Sequence, residues 1–313
     1  MKPQKEYRRI MLGKQSANAE DAINGGFVCA GFLFGMDLTG KFPDEWRKFN
    51  EKMRPVWLEQ NPGRSKVAAG LACGMLHTIC KGMKKGDIII SPTSDGTFHF
   101  GEITGDYFYD PTYELPHKRP VRWYDVTIHR HELSQALQNS VGSTGTVSTI
   151  TKYAEEIEAI IGNDALPKII SNDETIEDPS VFALEKHLED FLVANWPHTP
   201  LGKNYDIFSD GGEIIGQQYP SDTGPIDILA ISKDRKELLV VELKKGRASD
   251  NVVGQIQRYM GFVLTDLAEE GQSVKGAIIA LEEDQRIKQA LKVAPNIDFY
   301  RYEVRFDLKQ VTL

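Results

Sequence analysis

Two carboxylates and an ammonium, Asp227, Glu242 and Lys244, stand at the ends of apolar runs in the stretch Gly224 to Gln255, GPIDILAISKDRKELLVVELKKGRASDNVVGQ. Ile226 to Ile231 and Leu238 to Leu243 are branched apolar runs long enough for buried strands. The polar segment Ser232 to Glu237 between them is a turn, so the pair is predicted to be a β-hairpin. Antiparallel pairing across that turn brings the start of the first strand beside the end of the second, and Asp227 then meets Glu242. Because side chains alternate along a strand, Glu242 and Lys244 share one face while Leu243 takes the other. Clustered carboxylates repel unless a cation lies between them, and Mg²⁺ is the usual guest of such oxygen ligands. The competing reading is a pair of surface acids at strand ends.

Asp227 followed by Glu242-Leu243-Lys244 resembles the PD-(D/E)XK nuclease signature, with Ile226 where that pattern has proline. The segment VVELKKGRASDNVVGQIQRYMG, with Gln255 and Tyr259, is similar to the C-terminal nuclease domain of NucS-type and Mrr-like endonucleases, over about residues 178 to 306. The resemblance implies a restriction-endonuclease-like αβββαβ core. It also implies Mg²⁺, with Mn²⁺ as a substitute, held by Asp227, Glu242 and the carbonyl of Leu243. Lys244 then orients the attacking water or stabilises the pentavalent charge, or simply pairs with Glu242. Gln255 positions water or phosphate, with Tyr259 one helical turn on and Arg247 beside the substrate. An acid on the family's first helix reaches toward the metals. In DPSVFALEKHLEDFLVANW that acid is Glu185, with Glu189 on the same face as the reserve, and a solvated helix face is the alternative for either.

These residues need a scaffold, and the patterning supplies one. A helix starting at Pro179 or Ser180 buries Phe182, Leu184, Leu188, Phe191 and Leu192. A weak strand at Tyr205 to Phe208 and a better one at Glu213 to Tyr219 precede the hairpin. A helix over Asp250 to Leu267, a buried strand over Lys275 to Leu281, a helix over Asp284 to Val293 and a strand over Phe299 to Phe306 follow it.

The first half has a different texture. Helices are predicted around Ala17 to Ile23, over Pro43 to Glu59 with Pro55 as a kink or early end, and over Ser65 to Gly82; an apolar run spans Phe27 to Phe34. Cys73, His77 and Cys80 share a face of the third helix, but no fourth ligand accompanies them at a zinc spacing, so a packed core face is expected. From Lys84 onward short strands joined by polar turns suggest a small barrel. KKGDIIISPTSDGTFHFGEITGDYFYDP with HKRPVRWYDV resembles PUA-like and EVE-like domains, which implies a domain that accepts a modified or flipped base. Phe98 and Phe100 are expected in the core. Tyr107, Tyr109 and Trp123 are candidates for stacking on a base, at about 1 to 3 kcal/mol each. Arg119, Arg122 and Arg130 are candidates for phosphate contacts, with a solvated charged edge as the commoner explanation.

The fold class is therefore α/β (α+β), with a base-recognition domain over 1–162, a linker over 163–178 and a nuclease domain over 179–313. Hydrophobic content of 41% and charged content of 26% are those of a globular protein. No run reaches membrane-spanning length, MKPQKEYRRI lacks the core of a secretory signal, and three cysteines fit a reducing compartment, so a cytoplasmic protein is expected. The net charge of −8 is concentrated after residue 160, where 17 Lys+Arg face 26 Asp+Glu, against 20 and 19 before it. General charge attraction to phosphate is thus weak, and target selection falls to the first domain. Three functions are compatible: modification-dependent restriction of DNA, with a homodimer making double-strand cuts; repair cleavage of mismatched, branched or single-stranded DNA; and nucleic-acid binding without catalysis.

Overall fold

Apolar patterning draws most strands into one larger sheet in each of the two units into which the chain divides, Met1–Ala183 and Leu184–Leu313. The computed structural model describes residues 5–142, 145–162, 188–210 and 213–303. The expected linker at 163–178 lies outside the described residues, as does the start of the helix that carries Glu185.

The first unit contains β1 (Tyr7–Ile10), α1 (Ala19–Gly25), β2 (Phe27–Ala30), α2 (Trp46–Gln60), α3 (Lys66–His77), β3 (Ile88–Pro92), β4 (Thr97–Ile103), β5 (Phe108–Tyr109), β6 (His117–His129), α4 (Gln135–Val141), β7 (Val147–Thr149) and α5 (Ala154–Gly162). The strand order is β2-β6-β4-β3-β1-β7, with β5 on β6. β1 runs parallel to β3, and the other pairs are antiparallel. Among the described residues this path has two ends, β2 and β7, so the expected small barrel is seen as an open pairing path. Phe98 and Phe100 lie in the core with Ile88, Ile90, Leu137 and Ile157, as alternation predicts.

Local details differ from the patterning in two places. The apolar run from Phe27 leaves the strand conformation after Ala30, because Phe32 and Leu33 take left-handed backbone angles of φ 65° and 35°. Pro55 sits inside α2 without ending it. Phe49, Met53 and Trp57 on one face of that helix are all buried, and this apolar stripe holds the helix through the proline.

The second unit opens with α6, the helical segment at 188–194. It continues through β8 (Tyr205–Ile207), β9 (Ser209–Asp210), β10 (Glu213–Ile214), β11 (Gln217–Ser221), β12 (Gly224–Ser232), β13 (Glu237–Ala248), α7 (Asn251–Phe262), β14 (Ser273–Glu283), α8 (Gln285–Leu291) and β15 (Ile297–Arg301). The sheet order is β11-β12-β13-β14-β15, with β8 on β12, while β9 and β10 form a separate ribbon. This is a mixed α+β unit with more strands than an αβββαβ core requires. The long helix foreseen over 250–267 is α7 closed by a π-type turn at Val263–Leu267, and the last strand ends at Arg301.

β12 and β13 are the predicted hairpin, in the register Ile228↔Val241 to Ile231↔Leu238. Ile228, Ala230, Leu239, Val241 and Leu243 join one core cluster with Trp196, Leu192 and Val193. Alternation therefore turns Asp227, Glu242 and Lys244 to the other face of the sheet. α7 packs on β13 and β14 and buries Val252, Val253, Ile256, Tyr259 and Met260.

Candidate active site

One step beyond the last ladder pair, Ile228↔Val241, the same register sets Asp227 opposite Glu242. Here the strands stop exchanging backbone hydrogen bonds and a side chain takes over: Asp227 Oδ2 accepts the Leu243 N–H at 2.8 Å. In an extended strand the N–H and C=O of one residue point to the same side, so the Leu243 carbonyl faces the Asp227 edge. Glu242 is buried, and Lys244 Nζ lies 3.0 Å from its Oε1. The acid–X–lysine spacing thus does what alternation allows, placing both charged ends on one face with Leu243 in the core beneath.

α7 brings a second layer of polar groups. Gln255 Nε2 donates to Tyr259 Oη at 3.3 Å. Burial raises the Tyr259 phenol above its usual range, its hydrogen bond from Gln255 opposes that, and the charges of Glu242 and Asp227 add to the rise while Lys244 counters it. The tyrosine is therefore neutral near pH 7 and within electrostatic reach of all three charged residues. Its hydroxyl also explains Gly224: a Cβ there would lie 3.1 Å from Tyr259 Oη, on a backbone with φ +129° that side chains rarely adopt.

Of the two helix acids, only Glu189 lies among the described residues, and Glu185 lies outside them. Glu189, on α6, is buried, and its carboxylate accepts Gln217 Nε2 at 2.6 Å and Gln218 Nε2 at 2.5 Å. Gln218 Nε2 also donates to Asp227 Oδ1 at 3.2 Å, and Gln217 Nε2 to Asp190 Oδ1 at 3.0 Å. Residue type alone does not single out these two glutamines. The visible trace of them is a polar Gly-Gln-Gln step at the start of an otherwise strand-like run. Gly216 gives that step its path, since a Cβ there would lie 2.1 Å from the Leu229 carbonyl oxygen.

Arg247 is not drawn into this cluster. It follows a register shift between Lys244 and Arg247, is exposed, and faces Glu282 at 3.4 Å. Among the described residues no group of three His, Cys, Asp or Glu side chains is arranged to hold a metal ion.

In the first unit the stacking candidates are built into the fold. Tyr107 is half-buried, its hydroxyl 2.9 Å from His117 Nδ1 and accepting the Leu38 N–H at 3.2 Å, with its ring edge-on to Phe42. Tyr109 lies against the His117 ring, and Trp123 Nε1 donates to the Ala22 carbonyl at 3.3 Å. Phe108, not one of the three, is the exposed aromatic of this stretch, at 40%. Arg119 is buried and donates to the carbonyls of Gly105, Cys80 and Met83, so it is no phosphate contact. Arg122 pairs with Glu102, and Arg130 donates to the Gln138 carbonyl. Cys73, His77 and Cys80 are all buried, with His77 Nε2 2.7 Å from the Pro43 carbonyl, as expected of a core face.

Comparison with known proteins divides the chain in the same way. Residues 184–310 match the Endonuclease NucS C-terminal domain family, and residues 9–152 match a domain of unknown function, DUF8426. The second half therefore carries a NucS-like nuclease C-terminal domain, while the first half's match names neither a PUA-like nor an EVE-like domain. Endonuclease NucS of Methanocaldococcus jannaschii is 29% identical over 99 residues, 32% of this chain and 36% of the relative. The match thus spans about a third of that protein's length. Solved structures with a distant likeness include an EndoMS–dsDNA complex, at 13% identity and a TM-score of 0.32 over 67% of this chain and 62% of that one. Another is a repair endonuclease from Pyrococcus abyssi, at 15% identity and a TM-score of 0.31 over 71% and 80%. No helix among the described residues is long and apolar enough to cross a membrane.

Proposed function

We propose that this chain is a divalent-metal-dependent DNA endonuclease of the repair type, cutting phosphodiester bonds at the Asp227/Glu242/Lys244 face. The observation that carries this reading is the meeting of Asp227 with Glu242-Leu243-Lys244, within a segment that matches the NucS C-terminal domain. The donor set suits Mg²⁺: two carboxylates on neighbouring strands and a carbonyl turned toward them are hard oxygen ligands. Mg²⁺ commonly keeps several waters beside one or two carboxylates, so a third acid is not needed. Asp227, Glu242 and the Leu243 carbonyl would hold the ion, which when bound polarises the scissile phosphate and lowers the pKa of water. Lys244 offers N–H donors to a developing phosphorane charge. Gln255 and Tyr259 offer an amide and a neutral hydroxyl for orienting water or phosphate. Double-strand cutting would require a homodimer.

A second reading is modification-dependent cleavage, in which the first unit reads a base as PUA-like and EVE-like domains do. It is favoured by the exposed aromatic ring of Phe108. The test is cleavage of a panel of mismatched, branched, single-stranded, modified and plain duplexes with Mg²⁺ or Mn²⁺, run beside Asp227→Ala. Metal-dependent cutting of mismatched or branched DNA that the variant lacks is the expected result. Cutting confined to modified duplexes selects the second reading, and cleavage unaffected by the substitution overturns both.

A further inference from the structure

Gln218 has a backbone that its residue type does not favour. Its φ of +50° is left-handed, inside a strand whose neighbours pair regularly as Gln217↔Ile228 and Tyr219↔Ile226. A non-glycine residue is rarely held there and persists where the surroundings impose it, often at functional sites. That conformation aims the Gln218 amide between two acids from different elements. Nε2 gives one donation to buried Glu189 on α6 at 2.5 Å and another to Asp227 on β12 at 3.2 Å. With Leu243 N–H on the other oxygen, both oxygens of Asp227 are oriented by a donor. Gln217 holds the second oxygen of Glu189 in the same manner.

Resting on the metal-dependent reading above, we infer that Gln218 is a positioning residue for the metal site: its amide fixes the Asp227 carboxylate and ties it to Glu189, so that divalent affinity depends on it. Carboxylate ligands are generally oriented by hydrogen bonds from behind, and loss of such a partner lowers metal affinity about 10- to 100-fold. A carboxylate oxygen has more than one lone-pair site, so Asp227 can keep the Gln218 bond while taking an ion. The neutral amide also lets two acids lie close without adding charge, a separation that repulsion would otherwise widen.

The test is Mn²⁺ binding to the full chain by calorimetry, with thermal unfolding, for wild type, Gln218→Gly and Gln218→Met. Glycine removes the amide and relaxes the left-handed backbone; methionine removes the amide but keeps length and strain. The expected result is Mn²⁺ affinity about 10- to 100-fold weaker in both, with the glycine variant melting no lower than wild type. A purely structural role would instead lower the melting temperature and leave the affinity of the folded variant within about twofold of wild type. That outcome overturns the inference, as does failure of both variants to fold. If wild type itself binds no Mn²⁺, the metal reading falls and this inference with it; wild-type binding with unweakened variants removes the inference alone.

Discussion

Asp227 Oδ2 accepts the backbone N–H of Leu243 at 2.8 Å, so the first acid of the pair is tied to the strand that carries the second. The bond crosses the point where the β12–β13 ladder stops, and it sets the spacing of the two carboxylates through one rigid backbone group. A charged acceptor strengthens such a bond relative to a neutral one.

Replacing Asp227 with asparagine keeps the shape, leaves one acceptor oxygen for the two donors Leu243 N–H and Gln218 Nε2, and removes the charge that would hold a cation. Cleavage is expected to fall at least about a thousandfold, equivalent to roughly 4 kcal/mol of barrier. Single-turnover cleavage with circular dichroism on the same sample checks this. A folded variant cutting within tenfold of wild type would remove Asp227 from the chemistry.

Lys244 is about a third exposed while the Glu242 side chain is 3% exposed, so the cation serves the buried partner more than itself. Lys244→Met is expected to destabilise the second unit by about 1 to 3 kcal/mol, less than the cost of breaking a fully buried pair. Glu242→Gln in the same chain should recover part of that loss. Urea unfolding of the two single variants and the double variant measures it, and strict additivity would mean that the pair is not coupled.

The parts of this site that the sequence makes legible are those set by short-range periodicity. Strand alternation and a turn of fixed length put Asp227 opposite Glu242 and send Lys244 to the same face. What patterning cannot supply depends on contacts between distant segments. Spacing gives Glu189 no mark that sets it apart, and its contacts with the two glutamines of β11 appear only once distant segments are brought together. Gln218 carries no charge signal, and its left-handed φ leaves no mark in residue type. Arg119 reads as an edge charge until four carbonyls, three from the turn after α3 and one from the loop before β5, surround it. The barrel expectation rested on strand count, whereas the pairing of β1 with β3 and β7 joins segments about 80 and 140 residues apart.

Gly216 allows the close approach that seats β11. A methyl group there would sit 2.1 Å from the Leu229 carbonyl oxygen, which is backbone and also close to the Gly216–Leu229 hydrogen bond. Gly216→Ala must therefore shift a strand, at about 1 to 3 kcal/mol or more. Because Gln217 and Gln218 follow directly, the same variant should also lose cleavage activity. An unchanged urea midpoint would show that the chain bends freely at this point.

The last expectation concerns acid. His117 is fully buried between Tyr107 and the Phe32 carbonyl, and burial is the leading cause that lowers its pKa; His77, against the Pro43 carbonyl, is lowered for the same reason. In the unfolded chain these imidazoles protonate near the ordinary value of about 6.5, whereas in the folded state they stay neutral to lower pH. Between those two values the unfolded state binds more protons, so stability falls as pH falls and is fully present above about 6.5. Hydrogen exchange of β6 amides, measured between pH 7.5 and 5 and corrected for intrinsic exchange, should show protection declining through that window. His117→Gln, which does not titrate, should flatten the decline even if it lowers the starting stability. A wild-type profile that is level down to pH 5 would mean that His117 and His77 take up protons in the folded state as readily as in the unfolded one.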